Sequence, residues 1–382
     1  MDVIRQVFVI FAAGVAAGEL FARLRLPRIT GELLAGTLLG PHMIGWIHLN
    51  RTAETLASLG VVVLLFTAGL EMRVSELTEV GVPALVSSAA GVAVTVGGAF
   101  GAILAFGHHA GAAVLAAIAL AATSAGIGTR VFSDLGILQR RAGRVMMGAA
   151  VIDDVLILIV LSVALTAGSS KSAGSIVVSL LFAIVFIALV AVVGPRVARR
   201  HASRFAPDET RKAAIVPAMA LCLGLAALAE QVGLAALVGA FLAGMILAET
   251  REQFPLEHGM RPLADFLVPF FFVVAGARVD LHALAGPGLP LAIVVSAVAI
   301  AAKFAGCALG AIGLRPRERW LVGAGMIARG EVTLAAATVA LVAGRIPQSI
   351  FSAVLTAVFI SAFAGAIAVR ALAGGSEEAA SA

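Results

Sequence analysis

Charge is scarce in this chain. Only 13% of its 382 residues are Asp, Glu, Lys or Arg, against 61% that are hydrophobic, and the mean hydropathy is +1.06. A soluble domain carries about twice that share of charge, so a water-facing fold is excluded and the chain belongs in a bilayer. Cysteine is nearly missing as well. Cys222 and Cys307 both fall inside apolar runs, where they read as small core residues, and no disulfide framework or metal pair follows. The two-residue alternation of a membrane barrel is absent, which leaves helices as the spanning elements. No small-residue cleavage site follows the first apolar run, so that run is expected to be a retained helix and not a signal peptide.

What is present is a series of long apolar runs. Crossing about 30 Å of hydrocarbon takes about 20 residues of helix, and thirteen runs of suitable length can be counted between residues 3 and 372. Those used below are the second (29–48), third (55–71), fifth (110–133), sixth (143–167), seventh (174–195), ninth (232–248), tenth (263–281), eleventh (289–313) and twelfth (320–343). The net charge of +5 and the pI of 10.2 are explained by topology and not by nucleic acid. With the amino terminus outside and the carboxyl terminus in the cytoplasm, nineteen basic residues fall in cytoplasmic loops, among them Arg23, Arg25, Arg28, Arg73, Arg140, Arg141, Arg144, Arg251 and a cluster at 196–212. Five fall outside: Arg5, Arg51, Lys171, Arg278 and Arg345. This is the positive-inside bias. Arg130, Lys303 and Arg329 are left over.

The chain repeats itself weakly. GELLAG at 31–36 matches GAFLAG at 239–244, displaced by 208, and the phrase around Phe66 and Gly69 matches that around Phe272 and Gly276, displaced by about 207. The copies lie seven spans apart, so they enter the membrane from opposite faces, as in an inverted repeat. Secondary transporters with such repeats bind substrate near the midplane, often at helices broken in each half. The expected breaks are ATSAGIGTR at 122–130, with Thr123, Ser124 and Thr129, and GMIARGEVT at 325–333. Glycine weakens a helix there and hydroxyls can satisfy the freed backbone groups.

Each ionised side chain at the centre of a spanning helix costs roughly 2.5–3.5 kcal/mol on insertion scales. Asp153 and Asp154 sit in GAAVIDDVLILIVLSVAL at 148–165, and Lys303, one of three lysines, lies well inside the eleventh run. Adjacent residues on a helix point about 100° apart, so the two acids have different tasks. One can pair with Lys303. The other faces a cavity between the broken helices, where low dielectric disfavours a bare negative charge. Its oxygens suit a proton or a small hard cation. Both compete for one carboxylate, and that competition is sufficient for exchange. Arg329 and Glu331 form a second set of supporting charges, expected to pair as structural glue; Arg130 and Asp134 are expected to make a local pair; Glu32 opens the second run as an interfacial residue. An intramembrane aspartyl protease also needs two acids, but they must come from different helices to share a proton.

These residues resemble the monovalent cation/proton antiporter family, in the branch of NapA and the transport part of Kef-type systems. The resemblance runs through LPRITGELLAGTLLGP at 26–41, LLFTAGLEM at 64–72, ATSAGIGTRVFSDLG at 122–136, GAAVIDDVL at 148–156 and GMIARGEVTL at 325–334. It implies an all-α polytopic membrane protein with about thirteen spans and an NhaA-like fold of inverted repeats with two broken crossing helices. The resemblance further implies a sodium/proton antiporter, not an enzyme, needing no cofactor. Asp154 would bind Na+ or Li+ and H+ in turn, Asp153 would be the partner of Lys303, and Thr123 and Ser124 would lie at the crossing. K+ is the alternative cation. Paired aspartates with an opposed lysine are typical of electrogenic members. A homodimer is implied, with scaffold parts at 1–82 and 171–282 and ion-binding core parts at 83–170 and 283–373 that move by an elevator-like shift. Residues 374–382 are expected to be a disordered tail, without the cytoplasmic nucleotide-binding domain of Kef-type proteins.

Overall fold

The computed structural model describes residues 3–24, 26–71, 81–167, 185–186, 190, 193–194, 196, 215–232, 234–250, 256–280 and 288–374. The expected seventh span lies largely outside these residues, as do Arg25, Arg73, Lys171, Arg251, most of the basic link at 196–212 and the tail from 375. Every regular element among the described residues is a helix. Eight of them are long and apolar enough to cross a membrane, with Ala110–Asp134 taken as one.

The described residues fall into two compact units, one drawn from 1–78 and 158–278 and the other from 79–157 and 279–382. The first unit contains α1 (Val3–Arg23), α2 (Arg28–Leu39), α3 (Arg51–Leu70), α8 (Ile215–Gln231), α9 (Ala236–Ala248) and α10 (Leu256–Ala277). Helix α2 is shorter than its run predicts because the chain leaves the helix at Gly40 and returns only at Asn50, whose side chain accepts the Ala53 amide and caps α3. Asn50 also donates to Gln6 at 2.5 Å, which ties the turn to α1.

Close backbone approach organises this unit, and it does so twice over. A Cβ on Gly31 would collide with the Ala17 carbonyl, and one on Gly239 with the Leu225 carbonyl, a pair of contacts displaced by 208 residues. Likewise Gly36 packs against the Val273 carbonyl in α10, and Gly244 against the Phe66 carbonyl in α3. The matched phrases GELLAG and GAFLAG therefore make equivalent contacts. Small residues serve here because helices in lipid associate through packing and gain no hydrophobic drive from leaving it.

The second unit contains α4 (Gly81–Ala105), α5 (Ala110–Ala121), α6 (Ala125–Asp134), most of α7 (Arg141–Ala167), α11 (Gly288–Gly310), α12 (Pro316–Gly325), α13 (Glu331–Val342) and α14 (Gln348–Gly374). Helix α11 is its pillar, packed on α4, α12 and α14. Phe132, Met146, Ala149, Cys307 and Val322 are among the buried residues that close the apolar core at one end.

Candidate functional site

The two expected breaks occur, and they are narrower than the glycine pattern suggests. The first run leaves helical geometry only at Ala122, Thr123 and Ser124; Gly126, Gly128 and Thr129 are already inside α6, where the Thr129 hydroxyl donates to the Gly126 carbonyl at 3.2 Å. The second is unwound at 326–330, between α12 and α13. The unwound stretches meet. The Ser124 amide donates to the Ala328 carbonyl at 2.8 Å, and a Cβ on Gly330 would stand 2.7 Å from the Ser124 side chain. Each break frees backbone groups that a lone helix in lipid would leave unpaired, and this bond satisfies one from each.

Asp153 and Lys303 form a salt bridge with both side chains completely buried. Lys303 also donates to the Ala121 carbonyl at 2.6 Å, at the C-terminal end of α5, where the helix dipole favours a cation. Asp153 accepts two further bonds, from Ser88 on its Oδ1 at 2.6 Å and from Thr123 on its Oδ2 at 2.7 Å. Its charge is therefore met on both oxygens.

Asp154 is the opposite case. It is only 2% exposed, and its buried Oδ1 has no hydrogen-bond partner among the described residues. Glu331, Asp153 and Lys303 all act on it electrostatically. The two adjacent acids differ in their surroundings: one carboxylate has donors on both oxygens, and the other keeps an oxygen with no partner among the described residues.

Arg329 and Glu331 do not make the expected pair. Arg329 lies in the unwound stretch, so its side chain does not follow a helical direction. Its guanidinium donates to the carbonyls of Ala122 (3.3 Å) and Ala299 (2.9 Å). Its amide donates to Ser361 at 3.1 Å. Glu331 begins α13 and accepts from Ser124 at 3.2 Å. Arg329 thus braces the first break through the Ala122 carbonyl and joins it to α11 through Ala299, while Glu331 is bound to the same break through the Ser124 hydroxyl. Arg130 and Asp134 are both exposed, and no ion pair joins them. Glu32, expected at the interface, is buried within the protein: it is 8% exposed and lies against Gly18 of α1.

Ser88, Ser361 and the carbonyls of Ala121, Ala122 and Ala299 escape sequence reading. A serine in an apolar run gives no signal of its own, since most such hydroxyls bond back to the preceding turn, as Ser162 and Ser296 do here.

The chain is 30% identical to the Na(+)/H(+)-K(+) antiporter GerN of Bacillus cereus, over 93% of this chain and 92% of that protein. It is 31% identical to the high-affinity Na(+)/H(+) antiporter NhaS3 of Synechocystis, over 94% and 87% respectively. Its fold is that of the sodium proton antiporter MjNhaP1 from Methanocaldococcus jannaschii, with a TM-score of 0.76 and 20% identity across 97% of each chain. Residues 7–373 match the transmembrane sodium/hydrogen exchanger family over nearly their whole length, and the chain belongs to that family.

Proposed function

We propose that this multi-pass membrane protein is a secondary transporter that exchanges Na+ or Li+ for H+, with Asp154 as the group that carries either one. The observation that carries this reading is the buried Asp154 carboxyl with an unpartnered oxygen, beside an Asp153 already saturated by donors. A carboxylate in low dielectric needs a compensating charge. A proton supplies it, and so does a small monovalent cation accepted by hard oxygens. Loading one displaces the other, so each passage of Asp154 between the two sides carries only one of them.

The remaining residues hold that choice in place. Asp153 and Lys303 form a fixed neutral pair, Thr123 and Ser124 present hydroxyls at the crossing, and Arg329 and Glu331 support the two unwound stretches. The second unit, containing these residues, is the moving core, and the first is the scaffold through which two copies pair. The amino terminus lies outside and the carboxyl terminus in the cytoplasm of the cell membrane, as the distribution of arginine favours. With that pair fixed, one Na+ is exchanged for one H+ and a cycle moves no net charge. The electrogenic transport typical of paired aspartates with an opposed lysine requires a second proton, released when the Asp153–Lys303 pair opens, and the voltage dependence of the liposome flux distinguishes the two.

GerN, whose name includes K+, supports K+ as the alternative cation. Protein reconstituted in liposomes under imposed pH and voltage gradients, offered Na+, Li+ or K+ in turn, tests the whole reading. Proton flux driven by Na+ or Li+ is expected. Flux driven by K+ alone would move the assignment to the alternative, and no cation-driven flux would remove it.

A further inference from the structure

The arginines on the side assigned to the cytoplasm are not all used alike. In the first unit Arg23 and Arg28 are paired with Glu19. At one end of the second unit Arg140, Arg141, Arg144, Arg315 and Arg370 are all exposed, and none of them forms an ion pair among the described residues. Sorting of positive charge to one face of the membrane accounts for arginine on that side. It does not account for five unpaired ones gathered at a single end. We infer that this end of the second unit is a binding site for the phosphate headgroup of an anionic phospholipid. The inference does not depend on which cation the protein exchanges.

Three separate parts of the chain converge there. The link from α6 into α7 supplies Arg140, Arg141 and Arg144, the turn between α11 and α12 supplies Arg315, and the last turns of α14 supply Arg370. One apolar cluster holds these parts together, since Ile137, Ala142, Leu314 and Val369 are all buried in it. Gly313 turns the chain after α11 with φ of +71°, and a Cβ on it would lie 3.8 Å from the Arg141 guanidinium, so the second turn sits beside the first. Arg317 and Arg319 have another task. They donate to the carbonyls of Leu372 (3.1 Å), Ala308 (3.0 Å) and Leu309 (2.8 Å), in the last turns of α14 and α11, where a helix leaves its carbonyls without partners of its own. These two fasten the site, and the other five face outward.

Little negative charge answers them. The described acids of these segments are Asp134, which ends α6, and Glu318, whose carboxylate accepts the Arg315 amide at 3.0 Å and caps α12. The border of the cluster is apolar. Leu309 and Ile312 lead into the turn that carries Arg315, Trp320 follows it, and all three are exposed. Trp320 is held by stacking on Phe304, with ring centroids 5.4 Å apart and planes 19° from parallel. Tryptophan is enriched where hydrocarbon gives way to headgroups, and guanidinium meets phosphate through two parallel N–H donors. A phospholipid offers both partners at once, acyl chains for the rim and a phosphate for the arginines. A soluble anion would leave the rim uncovered.

The chain has two tryptophans, Trp46 and Trp320, and no tyrosine, so Trp46→Phe leaves Trp320 as the only strong emitter beside the lipid. The test places that full chain in phosphatidylcholine vesicles doped with lipid whose chains are brominated, either phosphatidylglycerol or phosphatidylcholine. Bromine quenches a tryptophan it touches, so the two quenching curves give the relative affinity of the site for the anionic lipid. A preference of about tenfold for phosphatidylglycerol is expected. Adding Arg141→Gln and Arg315→Gln is expected to bring it to near parity, since each basic residue at an anionic surface is worth about fivefold in affinity. Arg28→Gln, which removes an arginine already paired with Glu19, is expected to leave the preference in place. If the double substitution does not fold, raising the salt concentration around the Trp46→Phe chain is expected to shrink the preference by screening. Equal quenching by the two lipids, a preference that neither the double substitution nor salt reduces, or an equal loss in Arg28→Gln overturns the inference. So does loss of the preference on adding inorganic phosphate at matched ionic strength, which would mark a site for a free anion. The exchange reading is tested separately, by ion flux.

Discussion

Lys303 reaches across from α11 to an aspartate 150 residues earlier in the chain, and the resulting ion pair with Asp153 is closed off from solvent on both sides. Breaking such a pair by removing one partner strands a buried charge, at a cost of about 3–5 kcal/mol, whereas neutralising both partners is often tolerated. Lys303→Met alone is therefore expected to lower the thermal midpoint of the purified protein by several degrees. Combining it with Asp153→Asn, whose carbonyl oxygen accepts from one of the Ser88 and Thr123 hydroxyls while its amide donates to the other, is expected to recover most of that loss. Additive losses in the double variant, read by thermal melting, would show that the pair does not act as a unit.

The crossing depends on a close approach that only a missing side chain permits. A methyl on Gly330 would stand 2.7 Å from both Cβ and Oγ of Ser124, whereas one on Gly126 would meet nothing within 4 Å. Gly330→Ala is expected to cost about 1–3 kcal/mol through overpacking and to lower exchange activity. Gly126→Ala, inside α6, is expected to be neutral or stabilising by up to about 1 kcal/mol. Melting curves and flux measured on both variants check the contrast.

That contrast also marks what the sequence discloses. Charged residues in hydrocarbon are conspicuous because each is costly, so Asp153, Asp154 and Lys303 stand out without a structure, and so does the pairing of one acid with the lysine. The breaks are legible as regions of glycine and hydroxyl residues. Their extent is not, because Gly126 and Gly128 remain helical while the chain unwinds at Ala122, Thr123 and Ser124. Arg329 misleads for a related reason: its nearness to Glu331 in sequence suggests a pair, but an unwound backbone aims the guanidinium at the carbonyls of Ala122 and Ala299. Glu32 reads as a residue at the opening of the second run, and its burial against Gly18 of α1 is visible only in the packing.

Glu331 lies close enough to act on Asp154 electrostatically. Replacing it with glutamine removes negative charge beside the cation while keeping an acceptor for Ser124. Glu331→Gln is expected to raise the KM for Na+ by about tenfold, a loss of about 1.4 kcal/mol that is reasonable for one charge at intermediate dielectric. The maximal rate should change less. A fall in rate at unchanged KM would assign Glu331 to the packing of the crossing alone.

Competition at one carboxylate fixes the sign of the pH effect. Protons occupy Asp154 at low pH, so a higher Na+ concentration is needed to displace them. The KM for Na+ is expected to fall as pH rises, by at most about tenfold per unit for a single competing proton, and then to level off once the proton no longer competes. Sodium-driven flux titrated at a series of pH values gives this curve directly. A KM independent of pH would mean that proton and cation use different groups.

The most direct measurement is sodium-driven proton flux by the Asp154→Asn variant in liposomes, beside the unmodified protein. Asparagine keeps the shape but can neither bind a transported proton nor balance a cation's charge, so flux no greater than in protein-free liposomes is predicted. Flux equal to that of the unmodified protein would contradict the assignment of Asp154 as carrier.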